Sequence, residues 1–181
     1  NHMVKMVDDL LQLAGLEAQP RMTRAVAVNA AESLSAAWKA CAPVAQAKGV
    51  ELQQELPEKG LEVMTDFDQL VQVFRNLLEN AIKYSPPNDK IAVGYELEGN
   101  KVTFSVSDNG AGIPVQHQQR IFERFYRVEK IRSKHPGSTG LGLSICRHII
   151  LNNGGKIWVK SPSNSDGTGT TMFFTFFSPS S

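Results

Sequence analysis

Between Thr65 and Pro86 the apolar residues Phe67, Leu70, Val71, Phe74, Leu77, Leu78, Ala81 and Ile82 follow the i, i+3, i+4, i+7 spacing of a helix with one apolar face. Thr65 and Asp66 can both cap its start, and Pro86-Pro87 ends it. Such a helix is held mainly by a second layer that covers its stripe. The flanking sequence supplies candidates for that layer. Val50–Leu56 and Leu61–Met64 read as short strands joined by the turn Pro57-Glu-Lys-Gly60. Ile91–Leu97 and Val102–Val106 read as a hairpin around Glu98-Gly-Asn100, a turn longer than the two-residue minimum. Lys156–Lys160 and Thr170–Phe177 are two closing strands. A further helix over Ala30–Lys48 starts at the capping-box spacing Asn29…Glu32, with a kink or break expected near Ala42 because of Pro43. Another runs from Leu141 to Leu151 and stops at Asn152-Asn-Gly-Gly155. Strands and helices alternate irregularly, so the expected class is α/β, a two-layer α/β sandwich with a mixed sheet rather than a doubly wound parallel one.

The remaining chain adds an N-terminal amphipathic helix within Val4–Ala18, stopped by Pro20, and a strand at Arg24–Val28. From Ser107 to Gly140 loop residues dominate, interrupted by one short apolar helix expected at Gln119–Tyr126. So long an irregular stretch inside a domain is characteristic of a functional loop or lid. A length of 181 residues suits one domain with an extra arm. The net charge of +1 argues against a nucleic-acid partner held by phosphate contacts. No apolar run reaches the ~18 residues of a membrane span, so no membrane contact is expected of this stretch. Cys41 and Cys146 are too few and too far apart for a disulfide scaffold, which points to a reducing, cytoplasmic setting.

Four segments carry chemistry. On the central helix Asn76, Asn80 and Lys83 share a second face, offering amide oxygens for Mg²⁺ and an ammonium for phosphate, or simply a solvated surface with a Glu79–Lys83 pair. Asp108-Asn-Gly-Ala-Gly-Ile-Pro114 places a carboxylate acceptor at a strand end, with Gly110 and Gly112 permitting close approach; ordinary turn chemistry is the alternative. Thr139-Gly-Leu-Gly-Leu-Ser144 leads glycines into a helix N-terminus, an anion site without the spacing of a P-loop or a dinucleotide fingerprint. Between Arg120 and His135 six cations, Arg120, Arg124, Arg127, Lys130, Arg132 and Lys134, face only Glu123 and Glu129. Phe122, Phe125 and Tyr126 could pin that loop to the body.

In this order the four segments resemble the ATP-binding domain of bacterial sensor histidine kinases. Asn76-Leu-Leu-Glu-Asn-Ala-Ile-Lys-Tyr84 is similar to that family's N box, and Asp108-Asn-Gly-Ala-Gly112 to its first glycine box. Ile121-Phe-Glu-Arg-Phe-Tyr126 is similar to the F box, and Gly140-Leu-Gly142 to the second glycine box. The resemblance spans roughly Arg21 to Phe177 and implies the Bergerat fold, with ATP and Mg²⁺ bound under a lid. By this resemblance Asn80 ligates Mg²⁺ with Asn76 in support, Lys83 contacts a phosphate, and Tyr84 lines the pocket. Asp108 accepts from the adenine amino group, Gly110, Gly112 and Ile113 shape the base site, and Arg127 and Arg132 reach the terminal phosphates. Thr139, Gly140, Leu141 and Gly142 offer backbone amides, with Gly137 as a hinge. Residues 128–138 are expected to be a lid that ATP orders, with Phe122 and Phe125 as its packed, fixed edge.

The resemblance further implies phosphoryl transfer to a histidine of the same kinase's phosphoacceptor and dimerisation domain, a response-regulator receiver as the onward partner, and a homodimeric parent. No acceptor motif surrounds His117, His135 or His148. The domain reading is therefore residues 1–3 as an expression scar, 4–20 as a remnant of the second dimerisation helix and its linker, and 21–181 as the catalytic domain, unable to phosphorylate itself. ATP-hydrolysing machines of the same fold carry a Glu where Asn76 stands; an amide cannot act as a general base, which disfavours hydrolysis. A nucleotide-sensing module without transfer activity is the non-enzymatic alternative.

Overall fold

The computed structural model describes residues 2–18, 25–128 and 140–179. Its elements are α1 (His2–Ala18), β1 (Val26–Asn29), α2 (Ala30–Lys48), β2 (Glu51–Gln54), β3 (Glu62–Thr65), α3 (Phe67–Tyr84), β4 (Lys90–Glu98), β5 (Lys101–Asp108), α4 (Gly142–Asn152), β6 (Ile157–Lys160) and β7 (Thr170–Phe177). A single 3₁₀ turn at Arg120–Phe122 stands where an apolar helix was expected over Gln119–Tyr126, and another precedes it at Val115–His117.

Five strands form a mixed sheet in the order β2-β4-β5-β7-β6, and β1 and β3 form a separate antiparallel pair. The two strands flanking Pro57–Gly60 therefore do not pair with one another. β2 runs parallel to β4, with Leu52 opposite Ile91, while β3 joins β1, with Val63 opposite Val28. Backbone ladders are chemically generic, so neither strand's composition could have named its partner. The β4–β5 register runs to Glu98↔Lys101, which leaves the two-residue turn Gly99-Asn100, shorter than expected.

α3 packs its stripe on this sheet. Phe74 meets Phe104 and Phe174 edge-on at 5.5 Å each, while those two rings stack at 5.2 Å. Phe67, counted in the stripe from sequence, is 40% exposed because it sits at the helix entry, outside the covered turns. Asp66 provides the cap, its side chain accepting from the Gln69 amide; Thr65 is buried beside it instead. α2 begins as expected, with the Asn29 side chain accepting from the Glu32 amide. It passes Pro43 unbroken, because Pro43 and Lys39, whose carbonyl loses its partner, both lie on the exposed face where water can serve. α1 lies against α4, burying Leu13 and Leu16, and the Asn152 amide donates to the Leu16 carbonyl.

Candidate functional site

Long-range contacts bring the four sequence motifs around α3. The first is made by Asn76, only 8% exposed, whose Nδ2 donates to the Gly142 carbonyl at 3.2 Å. Its Oδ1 accepts from Gln72 Nε2 at 2.8 Å. Asn76 thus ties α3 to the start of α4 through its Nδ2, while Gln72, one turn earlier on α3, holds the other end of the amide. One turn later Asn80 is half-buried on the same helix face, outside the apolar stripe. Lys83 follows, its ammonium 5.8 Å from the centre of the Tyr84 ring. Burial lowers the Lys83 pKa, and the nearby cations Lys5 and Arg127 lower it further against the pull of Glu79. Lys83 and Arg127, half-buried and close enough to repel, form a positive locus suited to phosphate oxygens. Glu79 pairs with Arg75 at 3.0 Å and Lys5 at 3.6 Å, and its charge also acts on Lys83.

The second contact joins Tyr84 to Gly110. A Cβ on Gly110 would lie 2.4 Å from the Tyr84 carbonyl oxygen, so only glycine allows the strand-end loop to press against the end of α3. Asp108 stands just before it, and strand parity decides its environment. Val102, Phe104, Val106 and Asp108 alternate onto the buried face of β5, so the pleat carries a carboxylate inward at the strand's last position. Burial pushes its pKa up to about 6, partly offset by the hydrogen bond its Oδ1 accepts from the Gly110 amide at 2.8 Å. Asp89 raises it further and Lys48 lowers it. A shielded acceptor at the mouth of the sheet is the chemistry that an exocyclic amino group requires.

At the third contact the Phe125 amide donates to the Gly140 carbonyl at 2.9 Å. Gly140 has φ +76°, and a Cβ there would strike the Phe125 backbone at 2.9 Å. This pair closes the two stems of the loop between the F box and the second glycine box. α4 then starts at Gly142 with no side-chain cap, so its first-turn amides and dipole are available to an anion. Gly142 is not demanded by packing: a Cβ there would come no nearer than 3.9 Å to Asn76. The glycine instead leaves open space beside the Asn76 and Asn80 face. Leu141 is fully buried and anchors the helix entry.

The F box differs from expectation. Ile121 is buried and Phe122 and Tyr126 pack against the core, but Phe125 is 49% exposed with φ +64°. Its backbone, not its ring, is the fixed edge of the loop. Tyr126 is held by His117 through its hydroxyl and by Arg120 over its ring at 4.5 Å. Arg132, Thr139, Gly137, His135 and the rest of residues 129–139 lie outside the described residues.

A Mg²⁺ ion fits this donor set. Among the described residues no trio of His, Cys, Asp or Glu forms a metal cage. One hard amide oxygen from Asn80, space beside Gly142 and adjoining phosphate-binding groups match an ion that keeps several waters and is shared with phosphates. Asn76 Oδ1 already accepts from Gln72, which leaves it one further lone pair beside the Asn80 oxygen. Sequence reasoning missed two supports. Lys48 Nζ donates to the carbonyls of Ile82 and Lys83 at 2.8 and 2.7 Å, closing the end of α3; its place in the last turn of α2 was the available signal. Ser161 accepts from the Ile113 amide at 2.7 Å and donates to the Gly169 carbonyl at 3.0 Å. Gln118 reinforces this by donating to the carbonyls of Ile113 and Ser161. Gly112 lies under the same serine, so Ile113 and the base-site loop are pinned to the far edge of the sheet.

Comparison with known proteins agrees with this geometry. Residues 65–180 match the family model described as histidine kinase-, DNA gyrase B-, and HSP90-like ATPase. The sensor histidine kinase WalK of Bacillus subtilis strain 168 is 34% identical over 175 residues, covering 96% of this chain and 28% of WalK. The chain thus spans little more than a quarter of that relative's length. Full-length ShkA, solved in complex with AMPPNP, superposes with a TM-score of 0.79 at 26% identity over 99% of this chain and 37% of ShkA. The histidine kinase ThkA, solved in complex with the response regulator protein TrrA, superposes with a TM-score of 0.67 at 26% identity over 86% of this chain and 42% of ThkA. With residues 65–180 matched by that family model and WalK 34% identical across nearly the whole chain, the chain belongs to this ATPase family as a catalytic ATP-binding domain of the sensor histidine kinase type.

Proposed function

We propose that this domain binds ATP with Mg²⁺ and presents the γ-phosphoryl group to a histidine of a phosphoacceptor domain. The observation that carries the reading is the convergence of Asp108, the Lys83–Arg127 locus and the uncapped start of α4 around one face of α3. In this reading Asp108 orients adenine through its amino group, with Gly110, Gly112, Ile113 and Tyr84 shaping the base site. Asn80 holds the ion. Lys83, Arg127 and the backbone amides of Gly140, Leu141 and Gly142 hold the phosphates, joined by Arg132 and Thr139. When bound, Mg²⁺ neutralises charge on the phosphate oxygens. The protein's own work is then positioning and charge stabilisation, with no covalent step of its own.

Asn76 marks the branch of the superfamily. A buried amide bonded at both ends holds two helices together and cannot activate water, so the γ-phosphoryl group is kept for a protein acceptor. Residues 4–20 are read as the end of a dimerisation helix and its linker, residues 21–181 as the catalytic unit, and the parent as a homodimeric kinase with this domain in the cytoplasm. Among the described residues no helix is long and apolar enough to cross a membrane. The onward partner is a receiver domain, as with ThkA and TrrA. The test supplies a separately produced phosphoacceptor domain with γ-labelled ATP. Acid-labile label on its histidine supports the kinase reading. Nucleotide binding without transfer supports a sensing module and overturns it.

A further inference from the structure

On α4, Ser144, Arg147, His148 and Leu151 recur at i, i+3, i+4, i+7 and so share a face. With Phe122 and Arg124 of the F-box segment they line a pocket of about 360 Å³. Gly142, which faces Asn76, is two residues from Ser144 and so lies well round the helix from this face. The pocket is therefore separate from the nucleotide site.

Its chemistry is specific. Ser144 is 4% exposed and its hydroxyl has no hydrogen-bond partner, an unfavourable arrangement unless a ligand supplies one. Arg147 has no acidic partner among the described residues, and Glu123, the one acid in the lining, is engaged by Arg120 at 3.3 Å. Arg124 and His148 already hold one carboxylate: Glu17 of α1 pairs with Arg124 and lies 3.5 Å from His148 Nε2. Phe122 and Leu151 supply apolar walls. Burial and the two arginines keep the pKa of His148 below its ordinary value, so at neutral pH the positive charge comes from the guanidinium groups.

We propose that this pocket is a binding site for a small carboxylate carried on an apolar body, with Glu17 as its internal competitor. The volume lies at the lower end of small-molecule sites and suits a single-ring acid. The carboxylate takes Arg147 and the Ser144 hydroxyl and draws Arg124 from Glu17, while the ring fills the space between Phe122 and Leu151. Displacing Glu17 loosens the C-terminal end of α1, next to the stem that Phe125 and Gly140 close.

The test titrates benzoate into the whole chain, with benzamide as the uncharged control, and follows backbone amide shifts of Ser144–Leu151. The expected result is saturable benzoate binding that benzamide does not share. It should tighten by about fivefold in Glu17→Gln, the upper range of a half-exposed ion pair, and weaken by at least as much in Arg147→Ala and in Ser144→Ala. ATP-analogue affinity should be unchanged in Arg147→Ala, which checks folding and keeps this test independent of the kinase reading. The proposal is overturned by the absence of saturable shifts in Glu17→Gln, by equal binding of benzamide, by indifference to Arg147→Ala, or by shifts centred on Gly110 and Gly142. Unchanged affinity in Glu17→Gln overturns the role of Glu17.

Discussion

Asn76 and Gly142, 66 residues apart in sequence, are joined by a 3.2 Å hydrogen bond that fastens the central helix to the start of α4. Asn76 is buried and its other amide end is also engaged, whereas Asn80, one turn on, is half-buried. Two asparagines of one motif therefore carry different loads. Asn76→Ala should cost about 1–3 kcal/mol of stability, the price of a buried partner left unpaired, as read by chemical denaturation. It should weaken nucleotide binding indirectly, through the position of Gly142.

Asn80→Ala should leave stability within about 0.5 kcal/mol of the parent, since it lies beside the stripe and not in it. Its effect should appear in calorimetry as loss of the Mg²⁺-dependent part of ATP affinity. An Asn80→Ala protein whose ATP binding still tightens with Mg²⁺ to the same degree would show that the ion sits elsewhere.

Burial of the Asp108 carboxylate costs the folded domain stability at neutral pH. Its folded pKa of about 6 lies above the ordinary 3.8, so the folded protein binds the proton more tightly than the unfolded chain. Stability contributed by this group is present below about pH 4 and is lost as pH rises through 6. Asp108→Asn, which keeps an oxygen for the Gly110 amide, should therefore stabilise the free domain above pH 6 by up to about 2–3 kcal/mol. That gain should vanish near pH 4. The same variant should lose the preference for ATP and ADP over GTP, because the carboxylate is the acceptor that adenine satisfies and guanine does not. Thermal melts at pH 4 and pH 8, with calorimetry of both nucleotides, check the two halves separately.

Gly140→Ala should open the loop stems. The new Cβ meets the Phe125 backbone at 2.9 Å, and φ +76° is unfavourable for alanine. We expect a loss of about 1–3 kcal/mol in stability and a larger fractional loss of ATP affinity than in Arg147→Ala. Hydrogen exchange at the Phe125 amide should rise sharply; an amide as protected as in the parent would show that the pair is not what closes the loop.

Both thiols should be silent in the native state. Burial pushes the pKa of Cys41 up to about 11 and that of Cys146 up to about 12, so the thiolate population at neutral pH is negligible. An aromatic disulfide reagent at pH 8 should titrate no thiol in the native protein and two in denaturant. Reaction of either thiol under native conditions would contradict the packing of α2 on α3 or of α4 on the core.

Much of this protein could be read from its sequence because the relevant forces are local. The period of Leu70, Phe74, Leu77 and Ala81 requires a helix with one covered face, and Asn29 and Asp66 announce their helices through side-chain geometry that spans three residues. The order of the four motifs identified the family. Pairing was a different matter. Nothing in Glu51–Gln54 or Glu62–Thr65 says that one joins β4 and the other β1, since ladder hydrogen bonds are the same for every strand. The aromatic spacing of the F box suggested that Phe125 packs inward, but its backbone pairing with Gly140 turns the ring to solvent. Only the folded chain places Tyr84 against Gly110 and Asn76 against Gly142, and only the register of β5 carries Asp108 onto the buried face that raises its pKa. Residue types and spacings are properties of neighbours along the chain; desolvation, convergence of charge and the room left beside a glycine belong to neighbours in space, and packing alone decides those.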